Sequence, residues 1–365
     1  MTALERRASF SLALIFALRM LGLFLVLPVF ALEAQHYPGG DNPSLVGLAM
    51  GAYGLTQAVL QLPLGLASDR LGRKRVIVAG LLVFAAGSVL AALAQSVMGL
   101  LVGRAIQGAG AVSAATVALL ADQTRDTVRT KAMALIGASI GLMFALALVA
   151  APLLAAWVGL SGIFVLTGVL ALAGIAAVVW LVPPETAAIT SSQALPLKQS
   201  LAGLWQQADL LRLNIGVFIL HTVQMAMWVA VPAMLVQAGL PKGAHWQTYL
   251  PAVLLSFAAM GGLFALERRG HLRAALLAAI ALVLCVQVAL GVLTWSAAFS
   301  PTLVVLGVLL FVFFCGFNVL EATQPSLVSR MAPPTLRGAA LGAYNTLQSL
   351  GLFAGGALGG FLMRE

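Results

Sequence analysis

Four ionisable residues stand inside long apolar runs: Arg19, Arg104, His221 and Glu321. An arginine within a bilayer costs at least about 2.5–3.5 kcal/mol on insertion scales, so such residues face a cavity or a partner. At 1.5 Å per helical residue, Arg104 lies roughly 10 Å and Arg19 roughly 15 Å from the nearer surface. Gln107 follows Arg104 by three positions and shares its face. Glu321 precedes Arg330 by nine residues, whereas Asp122 precedes Arg125 by only three. If those arginines mark equivalent depths, Glu321 sits about 9 Å deeper than Asp122. Asn318 is one turn earlier, and His221 lies at a similar depth with Gln224 and Trp228 along its own face. A carboxyl and an imidazole at one depth can exchange a proton near neutral pH, which makes Glu321, with His221, the candidate proton carrier. The plainer alternatives are a structural Glu–His bond and hydrogen-bonded structural arginines.

A second set of residues lies in a polar loop, Gly65-Leu-Ala-Ser-Asp69-Arg70-Leu-Gly72-Arg73-Lys74-Arg75. Gly72 permits a tight turn, and Asp122 is the expected acidic partner of Arg73. A related loop recurs as Glu267-Arg268-Arg269-Gly270-His271-Leu272-Arg273. Both fit acidic-Arg-x-Gly-x-x-Arg, the trace of an internal repeat.

The elements that must carry these groups follow from composition. The chain has 365 residues, 61% hydrophobic and 8% charged, against about 25% charged in a soluble domain. Lipid must solvate much of it. Runs of roughly 20 apolar residues suit spanning helices, and we read eleven: 9–31, 45–67, 75–95, 97–120, 132–155, 159–181, 213–236, 247–266, 272–294, 301–324 and 338–362. They are apolar all round, which excludes a membrane β-barrel. The net charge of +9 is a topology signal. With the N-terminus cytoplasmic, Arg6, Arg7, the Arg70–Arg75 cluster, Arg125, Arg129, Lys131, Lys198, Arg212, Arg268, Arg269, Arg273, Arg330 and Arg337 all fall on the cytoplasmic side. This bias argues against nucleic acid as a partner and for a multi-pass protein of the cell (inner) membrane. The first run is too long for a signal peptide and contains Arg19. Cys285 and Cys315 read as packing residues, and neither they nor the four histidines have metal-ligand spacing.

The polar stretch 183–212 divides the runs into an N-terminal six-helix bundle (1–182) and a C-terminal bundle of five helices (213–365). A twelfth helix is missing from the pattern, and the expectation is a chain cut short before it. In the fifth helix Gly137 and Gly141 form a small-xxx-small face for close packing. The eleventh is rich in glycine at Gly351, Gly355, Gly356, Gly359 and Gly360, suited to packing or sliding.

The loop at 65–75 resembles the signature between helices two and three of the major facilitator superfamily. Leu100-Leu-Val-Gly-Arg104-Ala-Ile-Gln107-Gly108-Ala-Gly110-Ala111 resembles that superfamily's fourth-helix motif in proton-coupled members. Leu18-Arg19-Met20-Leu21-Gly22 through Pro28, and Phe317-Asn318-Val-Leu-Glu321 through Arg330, resemble the YajR-type branch of drug–proton antiporters. Antiporter members place a Gly-Pro pair in the fifth helix, where this chain has Leu142 after Gly141. The resemblance implies an all-α fold of two pseudo-symmetric helical bundles around a cavity that opens alternately to either side. It implies a conformational latch built from Gly65, Asp69, Arg70, Gly72, Arg73 and Asp122, with Asp69 meeting the N-terminus of the eleventh helix near Gly338 when the cavity faces outward. It links Arg104 to proton transfer or cavity polarity. The function expected is proton-coupled efflux of small amphipathic or hydrophobic compounds by a monomer, with the proton as coupling ion and no cofactor. Proton-coupled uptake or facilitated diffusion of a polar metabolite is the alternative, and a non-transporting scaffold a further one. An intramembrane enzyme finds no HExxH, paired-Asp or Ser–His pattern in the helices.

Overall fold

The structure is a computed structural model that describes residues 1–185, 207–295, 301–333 and 337–363. Within helices, the side chains at 69, 126, 127, 130, 261, 263–268, 294, 295, 337 and 338 lie outside the description. The helices are α1 (Ala3–Glu33), α2 (Pro43–Leu71), α3 (Arg73–Ala92), α4 (Val97–Ala109), α5 (Ser113–Asp122), α6 (Asp126–Trp180), α7 (Ala208–Gln237), α8 (Trp246–Arg268), α9 (Leu272–Trp295), α10 (Leu303–Met331) and α11 (Arg337–Leu362). Local sequence explains several ends. Thr2 and Glu5 form a capping box on α1, Asn42 caps α2 with Pro43 in its first turn, and Ser96 and Thr302 cap α4 and α10.

The helices depart from the expected runs in two places. The fourth run is broken between α4 and α5, where the chain at Gly110 passes close to the α3 backbone at Gly80 and Phe84. The fifth and sixth runs form one 55-residue element that turns at Gly159, at φ 64°, a conformation glycine adopts at little cost. By length and hydropathy, eight helical stretches among the described residues could cross a membrane, one of them the 50-residue Lys131–Trp180 that holds the turn. The repeated loop motif turns alike in both halves: Gly72 between α2 and α3 has φ 95°, and Gly270 between α8 and α9 has φ 85°.

Packing sorts the helices. Within the first half, α1 and α3 pack on α6, and α4 packs on α2 and α3. Within the second, α11 packs on α7, and α10 on α8 and α9. The halves meet through α2 with α11, α1 with α7, and α6 with α8. The apolar cores show at which end they meet. At the end away from the basic loops, one core joins α1 (Leu25–Ala31), the first limb of α6 (Phe144–Ala151), α7, α8 and α10. At the basic end there are two cores. One holds Leu12, Ile77, Leu119 and Ile136 from the first half, and the other Leu210, Val217, Val328 and Tyr344 from the second. The bundle is therefore closed at the end away from the basic loops and parted at the basic end.

The glycines explain the closure. Gly351, Gly355 and Gly359 face α7 at Phe218, Thr222 and Ala226, while Gly356 and Gly360 face α2 at Gly47, Gly51 and Pro43. Without Cβ atoms, α11 fits between both neighbours at backbone contact. Gly137 and Gly141 do not fulfil the close packing expected of them. A Cβ at Gly137 meets nothing within 4 Å, and one at Gly141 meets only the Phe257 ring at 3.9 Å. Both positions have room for a side chain, so neither glycine is needed for a close helix approach here.

Candidate functional site

A polar hub sits in the middle of the second half. Glu321 is about 15 Å from the basic end of α10, ten residues before its last residue, Met331. The Gln348 amide on α11 donates to Glu321 Oε1 at 3.1 Å and to His221 Nε2 on α7 at 2.8 Å. His221 Nδ1 is 3.0 Å from the Val217 carbonyl, which can only accept, so Nδ1 carries a proton. In the neutral ring Nε2 is then a bare acceptor. It faces Glu321 Oε2 at 3.4 Å, and that oxygen is buried and accepts no hydrogen bond. The single lone pair of Nε2 is taken up by the Gln348 amide, so Glu321 Oε2 is left beside the ring without a donor. The hub thus leaves one open acceptor position, on Glu321 Oε2 beside His221, that a proton or another donor can fill. His221 is buried, but 38% of the Glu321 side chain is exposed, so the carboxyl borders the parted end.

Aromatic rings roof the hub on its closed side. Phe317 stacks on Phe313 and meets the His221 ring edge-on at 5.8 Å. Beyond them Phe144 of the first half packs edge-on against Trp228 at 6.3 Å and Phe314 at 6.0 Å of the second, with Phe24 behind it at 5.1 Å. At the rim of the closed end Lys242 pairs with Glu33 across the halves at 3.3 Å. Nearby, burial against Tyr249 pushes the His245 imidazole below its usual value.

The first half holds the arginines. Arg19 donates to Ser113 Oγ at 2.6 Å, to Tyr53 Oη at 2.8 Å and to Gln57 Oε1 at 3.5 Å. Arg104 donates to Gln107 Oε1 at 2.9 Å, and Gln107 in turn to Ser88 at 2.8 Å. The Arg104 guanidinium lies 4.8 Å from the centre of the Tyr53 ring. Tyr53 therefore touches both cations. Arg19 is 2% and Arg104 1% exposed, and Arg19 Nε and Arg104 Nε and Nη2 are buried without an acceptor. Gln57 also donates to Ser349 at 3.2 Å, beside Gln348 on α11, so the two halves' polar groups approach each other through α2 and α11.

The structure brings His221 and Glu321 together, and Arg104 with Gln107. Asn318 turns to α8 instead, donating to Ser256 at 2.8 Å, and Gln224 is half-buried with no hydrogen bond among the described residues. Neither joins the hub. In the loop, Arg73 pairs with Asp122 at 3.2 Å and donates to Ser68 at 2.7 Å. Arg70 is exposed, and Gly65 faces Ala114. The Asp69 side chain and the surroundings of Gly338 lie outside the description. Sequence reasoning missed Gln348, Tyr53, Gln57 and Ser349. Gln57 and Gln61, a turn apart in an apolar helix, were the available signal for the α2 groups.

Two groups of helices joined at one end, with ionisable groups buried among them, suit a secondary transporter. The chain matches the Major Facilitator Superfamily over residues 12–356 and belongs to it; it is a multi-pass membrane protein of a transporter family and not an enzyme. Among its relatives, it is 42% identical to the inner membrane transport protein YajR of Escherichia coli K12, over 99% of this chain and 78% of that one. It is 29% identical to the multidrug resistance protein MdtH of Aeromonas salmonicida, over 97% of this chain and 86% of that one. Its fold resembles a bacterial homologue of the human lysosomal transporter Spinster, solved inward-facing and occupied, with a TM-score of 0.77 at 14% identity, covering 99% and 82% of the two chains.

Proposed function

We propose that this transporter couples proton movement to the export of small amphipathic or hydrophobic compounds, working as a monomer in the inner membrane with its N-terminus cytoplasmic. The observation that carries this reading is the His221–Gln348–Glu321 hub, in which Glu321 Oε2 has no donor and the carboxyl borders the parted end. A carboxylate that binds either a proton or a cationic guest, but not both, is what exchange of the two requires. The aromatic roof supplies apolar and cation–π surface to such a guest. The basic loops support a cytoplasmic location for the parted end. YajR is named an inner membrane protein and MdtH a multidrug resistance protein, in keeping with location and export. Asp69, with Gly65, Arg70, Gly72, Arg73 and Asp122, would latch the basic end when the cavity faces outward. An anion at a helix N-terminus contributes about 0.3–1 kcal/mol when exposed.

One observation favours a second reading, proton-coupled uptake of a polar metabolite. Arg19 and Arg104 have no acid within their half's spans, since Glu5, Glu33, Asp41, Asp69, Asp122, Asp126 and Glu185 all lie at helix ends or in loops. Two such cations suit an anionic guest. The readings part in proteoliposomes with an imposed pH gradient and a panel of cationic, neutral and anionic probes. Export predicts that cationic or neutral members move against the proton flow. Accumulation of anions with the proton flow sinks export and supports uptake.

A further inference from the structure

A groove of about 470 Å³ runs down the outer wall between α3 and the second limb of α6 (residues 160–180). The hub and the loop pairing leave it unused. Lys74 and Arg75 stand at its mouth, and Val78, Leu82, Val178 and Val179 line its length. On α3 these residues recur at spacings of three and four, so one helix face carries charge at one end and apolar groups below. Leu82 lies eight residues past Lys74, about 12 Å deeper.

Two exposed tryptophans bracket the groove, Trp180 at the level of the mouth and Trp157 near the opposite end. Trp157 is 87% and Trp180 is 74% exposed, at either end of the limb 160–180. That limb is 21 residues from the first position after Gly159 to Trp180, about 31 Å long, close to the roughly 30 Å of a hydrocarbon core. Exposed tryptophans favour the headgroup level, and Lys74 is beside Trp180: its ammonium donates to the Val182 carbonyl at 2.7 Å. Arg7 donates to the Trp180 and Leu181 carbonyls at 3.1 and 2.9 Å. Three cations therefore ring the mouth. The acid among them is Glu185, which accepts from the Lys74 backbone amide, so positive charge is left over. Arg75 is exposed and has no acidic partner among the described residues.

We propose that this groove binds one anionic phospholipid of the leaflet at the basic end. Its phosphate meets Arg75 and Lys74 at headgroup level, and an acyl chain lies along Val78, Leu82 and Val179. Charge at the mouth and an apolar floor below match that occupant and no soluble anion. The site adjoins the turn at Gly72, so an occupied groove braces the start of α3 next to the Arg73–Asp122 pair.

Native mass spectrometry of the full chain, with phosphatidylglycerol and phosphatidylcholine of equal chain length, tests it. One phosphatidylglycerol is retained with a preference of about tenfold or more, the scale expected from two basic side chains near a membrane surface. The double variant Lys74→Gln/Arg75→Gln brings the preference to near unity. Leu82→Trp fills the floor and leaves both charges. Leu82 is half-exposed on the lipid face, so the change spares the core, and it too releases the lipid. Inorganic phosphate alone does not bind. Equal retention of both lipids by the unaltered chain overturns the proposal. So does retention of phosphatidylglycerol by either variant: survival in Leu82→Trp means diffuse surface attraction, and survival in the charge variant means apolar binding without headgroup recognition.

Discussion

Adjacent glycines on α11 should behave in opposite ways. A Cβ at Gly356 would lie 2.5 Å from the Gly47 carbonyl oxygen and 2.9 Å from Gly51 Cα, both on α2 in the other half. A Cβ at Gly355 would lie 2.8 Å from Met225 Cβ and collide with the Thr222 carbonyl, both on α7 in the same half. Carbon atoms pack best at about 3.5–4.0 Å, so Gly356→Ala forces the α2–α11 seam apart by roughly 1 Å. Overpacking of this kind costs about 1–3 kcal/mol. At Gly356 that penalty falls on the outer-closed state alone, and it shifts the ratio of the two transport states by about 5–150-fold. At Gly355 it falls on the second half in every state, so it lowers the melting temperature and leaves the ratio alone. The assay is spin-label distance measurement after replacing Cys285 and Cys315. One label pair sits at exposed Asp41 and Gln237 on the outer end, the other at Leu71 and Met331 on the basic end. Gly356→Ala should lengthen the outer distance and shorten the basic one. The reasoning fails if Gly355→Ala moves the distances as far, or if Gly356→Ala moves neither.

Other perturbations probe the same architecture. Phe144→Ala removes two ring contacts that cross the halves, each worth about 0.5–1.5 kcal/mol beyond buried area, and should widen the outer label distance in the direction of Gly356→Ala. Glu33→Gln breaks the rim pair with half-exposed Lys242; an exposed pair contributes at most about 1 kcal/mol, so the distance shift should be small and vanish at high salt. Arg19 bonds Ser113 and Tyr53 through separate nitrogens of one planar fork, which an ammonium cannot reproduce. Arg19→Lys should therefore lose transport by about tenfold or more, much as Arg19→Gln does, and rescue by lysine would show that charge alone suffices.

Much of this was legible because it depends on near neighbours along the chain. The i, i+3 spacing of Arg104 and Gln107 yields their bond, and the acidic-Arg-x-Gly motif yields matching turns at Gly72 and Gly270. The apolar runs located the helices, but the break at Gly110–Val112 is decided by the close approach of α3, and the turn at Gly159 rests on a backbone conformation of one glycine among many. Asn318 shows the limit of helical spacing. It stands one turn from Glu321, yet it bonds Ser256, because α8 rather than α7 or α11 faces it. Gln348 could not be singled out, since a neutral amide in a glycine-rich helix acquires meaning only when α7 and α10 bring His221 and Glu321 to it. The glycines of α11 were recognised as packing residues, but which of them face α2 and which face α7 is a property of the assembled bundle.

The central claim is that Glu321, beside His221, carries the proton exchanged for substrate. The most direct measurement is substrate-driven proton movement in proteoliposomes with a trapped pH dye, comparing the unaltered chain with Glu321→Gln. The amide keeps the shape and a hydrogen bond to Gln348 while removing the titrating group. At least one cationic or neutral amphipathic probe should drive a pH change in the unaltered chain, and none in the variant, which should still exchange that probe across the membrane without a gradient. Full proton movement in Glu321→Gln would contradict the account.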